Sequence, residues 1–281
     1  MLNRFYRKAS VRFSNRRKLP NLIFLHVPKA GGTSLDRTLE ALYPRDREGN
    51  IRFDKVTEAW QLAQDFRPSG REDDFSWFQT INTVLSYKIA SQAPYLSGHF
   101  AVSQQILNSA KDKYQFVTLL REPVARWKSN YIYSRIRLAQ DGKRQAPKNI
   151  GQELEDYLTS SQAKKEGTKY VRYFGGYKTP DNMGSQECIE KSVTLLSQFD
   201  CIGFLENLPE FERRLSELLN IKISVPHLRK TEEFMEPSGR TAGDYKALFT
   251  DAVVEKVTEI CRPDQEIYQA ARALEQPIVS S

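Results

Sequence analysis

The sequence predicts an α/β protein built on a parallel β-sheet with helices on both faces. Three observations carry that expectation. Short unbroken apolar runs recur along the chain, turn-forming residues or Pro close them, and segments with helical spacing follow. Strands of a parallel sheet are buried on both faces, so they read as continuous apolar runs rather than alternating ones. Strands that repeatedly feed helices are the pattern of crossover connections.

The first run, Leu22-Ile23-Phe24-Leu25-His26-Val27, reads as a buried strand, and residues 28–32 form a tight loop. Thr33 and Ser34 then open an amphipathic helix reaching about Tyr43, with Leu35, Leu39 and Leu42 on one face. Residues 44–94 are polar and aromatic, with helical patches at 56–66 and 75–88, and read as an excursion between core strands. Strands follow at 95–98 and 114–120; Arg121-Glu122-Pro123 ends the latter, and Pro123 suits the first position of the next helix. Residues 139–151 read as a loop, 199–204 as a further strand, and 209–219 and about 245–274 as helices. There is no internal repeat. One domain over 19–281 is expected, with 1–18 outside it as a basic arm.

With 281 residues, 40% apolar and 11% aromatic, the chain can bury a sizeable core. The net charge of +7 suggests nucleic acid or polyanion binding until its distribution is considered. Residues 1–18 hold seven Lys and Arg and no acidic residue, and the remaining 35 basic residues balance 35 acidic ones. The body is formally neutral, so no nucleic-acid partner is expected; the arm is suited to peripheral contact with a membrane surface or polyanion. Cys188, Cys201 and Cys261 are scattered and the three His do not cluster, so neither a disulfide framework nor a metal site is expected. No apolar run is long enough to span a bilayer or form a signal h-region, which makes a native start at Met1 an expectation of cytoplasmic location.

The informative segment is His26-Val27-Pro28-Lys29-Ala30-Gly31-Gly32-Thr33-Ser34, running from strand to helix. Gly31 and Gly32 let backbone N–H groups approach an oxyanion, and the helix start adds unpaired donors and partial positive charge. Lys29 supplies a full charge, and Thr33 and Ser34 supply hydroxyls. A Walker A loop places Lys after its last Gly, whereas Lys29 precedes both. The order Pro-Lys-x-Gly-Gly-Thr-Ser resembles the 5′-phosphosulfate loop of sulfotransferases that use PAPS (3′-phosphoadenosine 5′-phosphosulfate), most of all the carbohydrate type that includes heparan sulfate 2-O-sulfotransferases and bacterial relatives. A second segment, Arg121-Glu122-Pro123-Val124-Ala125-Arg126-Trp127-Lys128-Ser129-Asn130-Tyr131, is similar to that family's 3′-phosphate segment.

The resemblance implies a P-loop-NTPase-like parallel sheet flanked by helices, PAPS as donor, no metal, and a hydroxyl acceptor on a glycan or glycoconjugate. It implies donor contacts at Lys29, Ala30, Gly31, Gly32, Thr33 and Ser34, and 3′-phosphate contacts at Arg121 and Ser129. A polar stretch with Arg229 and Lys230 aligns loosely with the family's late basic loop over the nucleotide. Charge develops on the bridging oxygen of the leaving nucleotide, where Lys29 can stabilise it. The acceptor hydroxyl needs a base; His99, in a segment similar to the family's Gly-His, takes that role, with His26 the alternative base or else a positioning or structural residue, and His227 structural or peripheral. Later similarities, at 170–176, at 199–206 and at Asp264 to Tyr268, read as structural. The chain departs from the family at Ala30 (commonly Thr), Glu122 (commonly Asp) and Ala125 (often acidic). It also lacks the anchor of Golgi members, which suggests a bacterial-type enzyme or a chain without its anchor. Two other readings stand beside this one: a P-loop kinase or NTPase, requiring ATP and magnesium, and a non-catalytic polyanion-binding protein.

Overall fold

The computed structural model describes residues 19–43, 51–52, 74–140, 142, 149–175, 182–226, 235 and 238–274. Among these, five strands form one parallel sheet: β1 (Asn21–Leu25), β2 (Ile51–Arg52), β3 (Tyr95–Gly98), β4 (Tyr114–Leu120) and β5 (Cys201–Phe204), in the order β2-β3-β1-β4-β5. Helix α1 (Gly32–Glu40) follows β1, α2 (Asp74–Ala90) leads into β3, α3 (Gln104–Ala110) joins β3 to β4, and α4 (Pro123–Gln140) leaves β4. Before β5 come α5 (Ile150–Leu158), α6 (Ser161–Gly167), α7 (Lys169–Phe174) and α8 (Gln186–Leu196). After it come a 3-10 turn (Leu205–Asn207), α9 (Leu208–Leu219), α10 (Ala242–Lys246), α11 (Asp251–Ile260) and α12 (Arg262–Leu274).

Successive strand residues point to opposite faces, and both faces are covered. Ile23, Leu25, Phe116, Leu120, Ile202 and Phe204 share a core with residues of α2, α3, α7, α8 and α12. Leu22, Phe24, Val117, Leu119 and Cys201 pack instead with Leu35 and Leu39 of α1 and Phe211 and Leu215 of α9. A third cluster contains no strand residue: Trp127, Tyr131, Ile132 and Ile136 of α4 meet side chains of α5, α6, α10 and α11. Its effect is to hold α4 from its outer side.

The topology fixes where a ligand would sit. From β1 the chain runs through α1 toward β2, on one side; from β4 it runs toward β5, on the other. β1 and β4 are neighbours paired in parallel, with Leu25 opposite Thr118. Adjacent strands whose chains depart in opposite directions make a switch point, and open α/β sheets bind ligands at the strands' carboxyl ends there.

Three segments differ from expectation. The stretch 44–94 contributes β2 to the sheet edge, and Phe78, Ile81, Leu85 and Ile89 of α2 are buried in the core, so part of it is core rather than excursion. The helical patch at 56–66 lies outside the described residues, as does the basic arm. Where one helix was expected over about 245–274 there are three, because Thr250 accepts the N–H of Val253 to cap α11 and Pro263 falls in the first turn of α12. Helices α5 to α8 arise where no element was expected. Among the described residues no helix is long and apolar enough to cross a membrane, and no disulfide joins Cys188, Cys201 and Cys261.

Candidate functional site

The loop after β1 is built around two left-handed residues, Lys29 (φ 65°) and Gly31 (φ 81°). For a Lys that conformation is uncommon and strained, and such strain concentrates at functional loops. Gly32 has a steric reason to be Gly: a Cβ there would stand 2.2 Å from Cδ2 of His26. The buried His26 ring therefore lies directly against the first residue of α1. Ala30 turns its methyl wholly into the core, and its N–H points back to the carbonyl of Val27 at 3.4 Å. Position 30 thus offers a ligand little beyond loop shape.

Helix α1 opens on Gly31 with no side-chain oxygen on its first N–H groups and no acidic residue in its first turn. By contrast α3, α5, α6, α8 and α11 open on Ser103, Asn149, Ser160, Ser185 and Thr250, each accepting a backbone N–H of its own first turn. Helix starts without a side-chain cap are suited to an anion, and α1 shares that lack of a cap with α7 and α9. Half-buried Thr33 and Ser34 stand in that first turn. Buried Asp36, farther along α1, accepts the Tyr95 hydroxyl at 2.7 Å and ties the helix to β3.

Arg121 arrives from the neighbouring strand. Its Nη1 donates to the backbone oxygen of Lys29 at 3.3 Å, which joins the two expected anion segments at one point. Burial first, and the Arg121 charge second, lower the Lys29 pKa from 10.5 to about 8. Among the described residues neither cation pairs with a carboxylate. The Lys29 ammonium instead lies 3.8 Å from the ring centroid of Tyr133 on α4. Ser129, almost wholly buried, stands one turn before Tyr133 on the same side of α4.

The start of α4 is braced by residues far away in sequence. Tyr170 accepts the Arg121 N–H at 2.9 Å and its hydroxyl donates to the Arg121 carbonyl. Glu206 accepts the Glu122 N–H at 2.9 Å with one oxygen and the Tyr268 hydroxyl at 2.9 Å with the other. Glu122 caps α4 itself, accepting the N–H groups of Val124 and Ala125 at 3.0 and 2.7 Å. The N-terminal amides of α4 are therefore occupied, and an anion at this end must be held by side chains such as Arg121 and Ser129.

The second Arg of that segment has a different task. Arg126 is fully buried, 3.5 Å from a Glu166 oxygen and 4.0 Å from an Asp264 oxygen. Asp264 also accepts the N–H groups of Tyr170 and Val171 at 2.9 and 3.3 Å, and burial pushes its carboxyl up to about 7 against the pull of Arg126. This buried network fixes α4, α7 and α12 together and so holds Tyr170 under Arg121. Asp264, read from the sequence as structural, acts through it, and Tyr268, read likewise, acts through Glu206.

His99 follows β3 next to the same loop. The His26 N–H donates to the Gly98 carbonyl at 2.9 Å, and the rings of His26 and His99 are 4.6 Å apart between centroids. Nδ1 of His99 lies 2.5 Å from the His26 carbonyl oxygen, which can only accept. Nδ1 therefore carries the proton, and in the neutral ring Nε2 holds the lone pair.

Lys29, Ala30, Gly31, Gly32, Thr33, Ser34, His99 and Arg121 thus gather at the carboxyl ends of β1, β3 and β4, with Ser129 on the helix that follows. Arg229, Lys230 and His227 lie outside the described residues. Tyr133, Tyr170 and Glu206 were not singled out from the sequence as site residues; helical spacing from Ser129 is the one local signal that could have found Tyr133. Among the described residues no group of three or more His, Cys, Asp or Glu side chains is arranged to hold a metal ion. Comparison with protein-family models and with curated proteins finds no match to this chain.

Proposed function

We propose that this chain is a PAPS-dependent O-sulfotransferase with a sulfotransferase-type, P-loop-like fold and a carbohydrate or glycoconjugate hydroxyl as acceptor. The observation that carries this reading is the meeting of Lys29 and Arg121 at the switch point, with neither cation ion-paired to a carboxylate among the described residues. Two like charges held together in a partly buried site are unfavourable unless a polyanion joins them. A donor with phosphates at both ends of its nucleoside suits two cationic anchors on neighbouring strands, and both anchors lie in segments that resemble those of the sulfotransferase family.

On this reading the N–H groups of α1 and the hydroxyls of Thr33 and Ser34 receive the 5′-phosphosulfate, while Arg121 and Ser129 hold the 3′-phosphate. The acceptor oxygen attacks sulfur in line, the bond from sulfur to the bridging oxygen breaks, and the 3′,5′-bisphosphate product PAP leaves. Lys29 stabilises the charge gathering on that bridging oxygen, and Nε2 of His99 takes the acceptor's proton. Positioning and charge stabilisation are the protein's main contribution to such transfers.

Transfer of labelled sulfuryl from PAPS to a panel of glycans tests the reading. Transfer that falls about 100-fold or more in Lys29→Ala supports it. PAPS left intact with every acceptor, while ATP with magnesium is turned over, contradicts it and favours a kinase.

A further inference from the structure

The Lys29 ammonium has one neighbour that the donor reading leaves unexplained, the ring of Tyr133. Lys29 leaves the loop with a left-handed backbone, and its long side chain reaches α4 to lie 3.8 Å above that ring's centroid. The distance is well inside the range for attraction between a cation and an aromatic face. Tyr133 is only partly exposed, on a helix fixed from below by Arg126 and from its outer side by the Trp127 and Tyr131 cluster. The ring is thus a fixed surface, whereas a Lys side chain has four rotatable bonds to restrain.

We propose that Tyr133 is a positioning residue for Lys29. Its ring holds the ammonium in one place and in its charged form, and leaves the opposite hemisphere of N–H donors open to a phosphate or sulfate oxygen. The role of Lys29 toward a donor rests on the function proposed above; the hold of Tyr133 on Lys29 does not. Partial burial and Arg121 both favour loss of the Lys29 proton, so a group that favours keeping it is needed if a cation is to be present before an anion arrives. Among the described residues no carboxylate supplies it, and the aromatic face does.

Two measurements on the full chain without ligand test this. The first is competitive labelling of Lys29 with acetic anhydride at pH 7, read by mass spectrometry. Removing the ring face lowers the ammonium's pKa, so Tyr133→Leu should label about three- to tenfold faster, while Tyr133→Phe, which keeps the ring, stays within about twofold. Equal rates in wild type and a folded Tyr133→Leu overturn the proposal. The second needs no Tyr133 variant. Reductive 13C-methylation of the wild type, with Lys29→Arg for assignment, should give a Lys29 methyl resonance shifted upfield by the ring. A resonance at the position of solvent-exposed lysines overturns the proposal even if Tyr133→Leu fails to fold. PAP titration then separates the two claims. Weaker binding to Tyr133→Leu but not to Tyr133→Phe supports both, whereas no binding to wild type alongside positive labelling and methyl results removes the donor reading and leaves the positioning one.

Discussion

The His26 carbonyl accepts the Nδ1–H of His99 at 2.5 Å, so the residue just after β1 sets the tautomer of the residue just after β3. The same His26 packs its ring where a Gly32 side chain would be. One residue therefore touches both the start of α1 and the candidate base.

If Nε2 of His99 takes the acceptor's proton, His99→Ala should lower turnover about 100-fold or more. PAP affinity should stay within about threefold, because the donor's anchors lie elsewhere. Steady-state rates with PAPS and a hydroxyl acceptor check this, and turnover near wild type would remove His99 from the role.

Gly32→Ala should destabilise the fold by about 1–3 kcal/mol, since a Cβ 2.2 Å from the His26 ring forces a shift in a packed region. Combining it with His26→Ala should recover part of that loss. Urea denaturation of the two single variants and the double variant reads the coupling, and strict additivity would mean that the ring does not set the space.

Lys29 links stability to pH with a definite sign. Its pKa falls from 10.5 to about 8 on folding, so between those values the unfolded chain keeps a proton the folded chain has released. Stability of the ligand-free protein should rise with pH across that window, with the full penalty present below it. Lys29→Met should therefore stabilise the ligand-free protein at pH 7, by about 1 kcal/mol once solvent screening is allowed for. PAP affinity should fall as pH rises through about 8. Thermal melts and titrations at several pH values check both, and a destabilised Lys29→Met at pH 7 with flat affinity would contradict them.

Much of this site was legible because its signals are local. The apolar run before His26, the Lys29 to Ser34 order and Arg121-Glu122-Pro123 each lie within a few residues, and strand ends are where a parallel sheet presents ligand-binding groups. What stayed hidden depends on distance. Nothing near Glu206 says that it accepts the Glu122 N–H, 84 residues away, and nothing near Tyr170 says that it brackets Arg121. The two-residue β2 is too short to carry a periodic signal, and it is recognisable only through its pairing with Leu96 and Ser97. The helix expected over 245–274 was misread because its apolar spacing continues through breaks made by one cap and one Pro. Position 30 shows a subtler limit: its place in a ligand loop suggests contact, but its side chain faces the core.

The most direct test of the central claim, that Lys29 and Arg121 anchor opposite ends of one doubly phosphorylated nucleotide, is calorimetric titration with PAP. Adenosine 5′-phosphate and ATP with magnesium serve as comparisons, with Arg121→Ala beside the wild type. PAP alone should bind tightly, and Arg121→Ala should lose most of the advantage PAP holds over adenosine 5′-phosphate. Equal affinity for PAP and adenosine 5′-phosphate, or preference for ATP with magnesium, would contradict it.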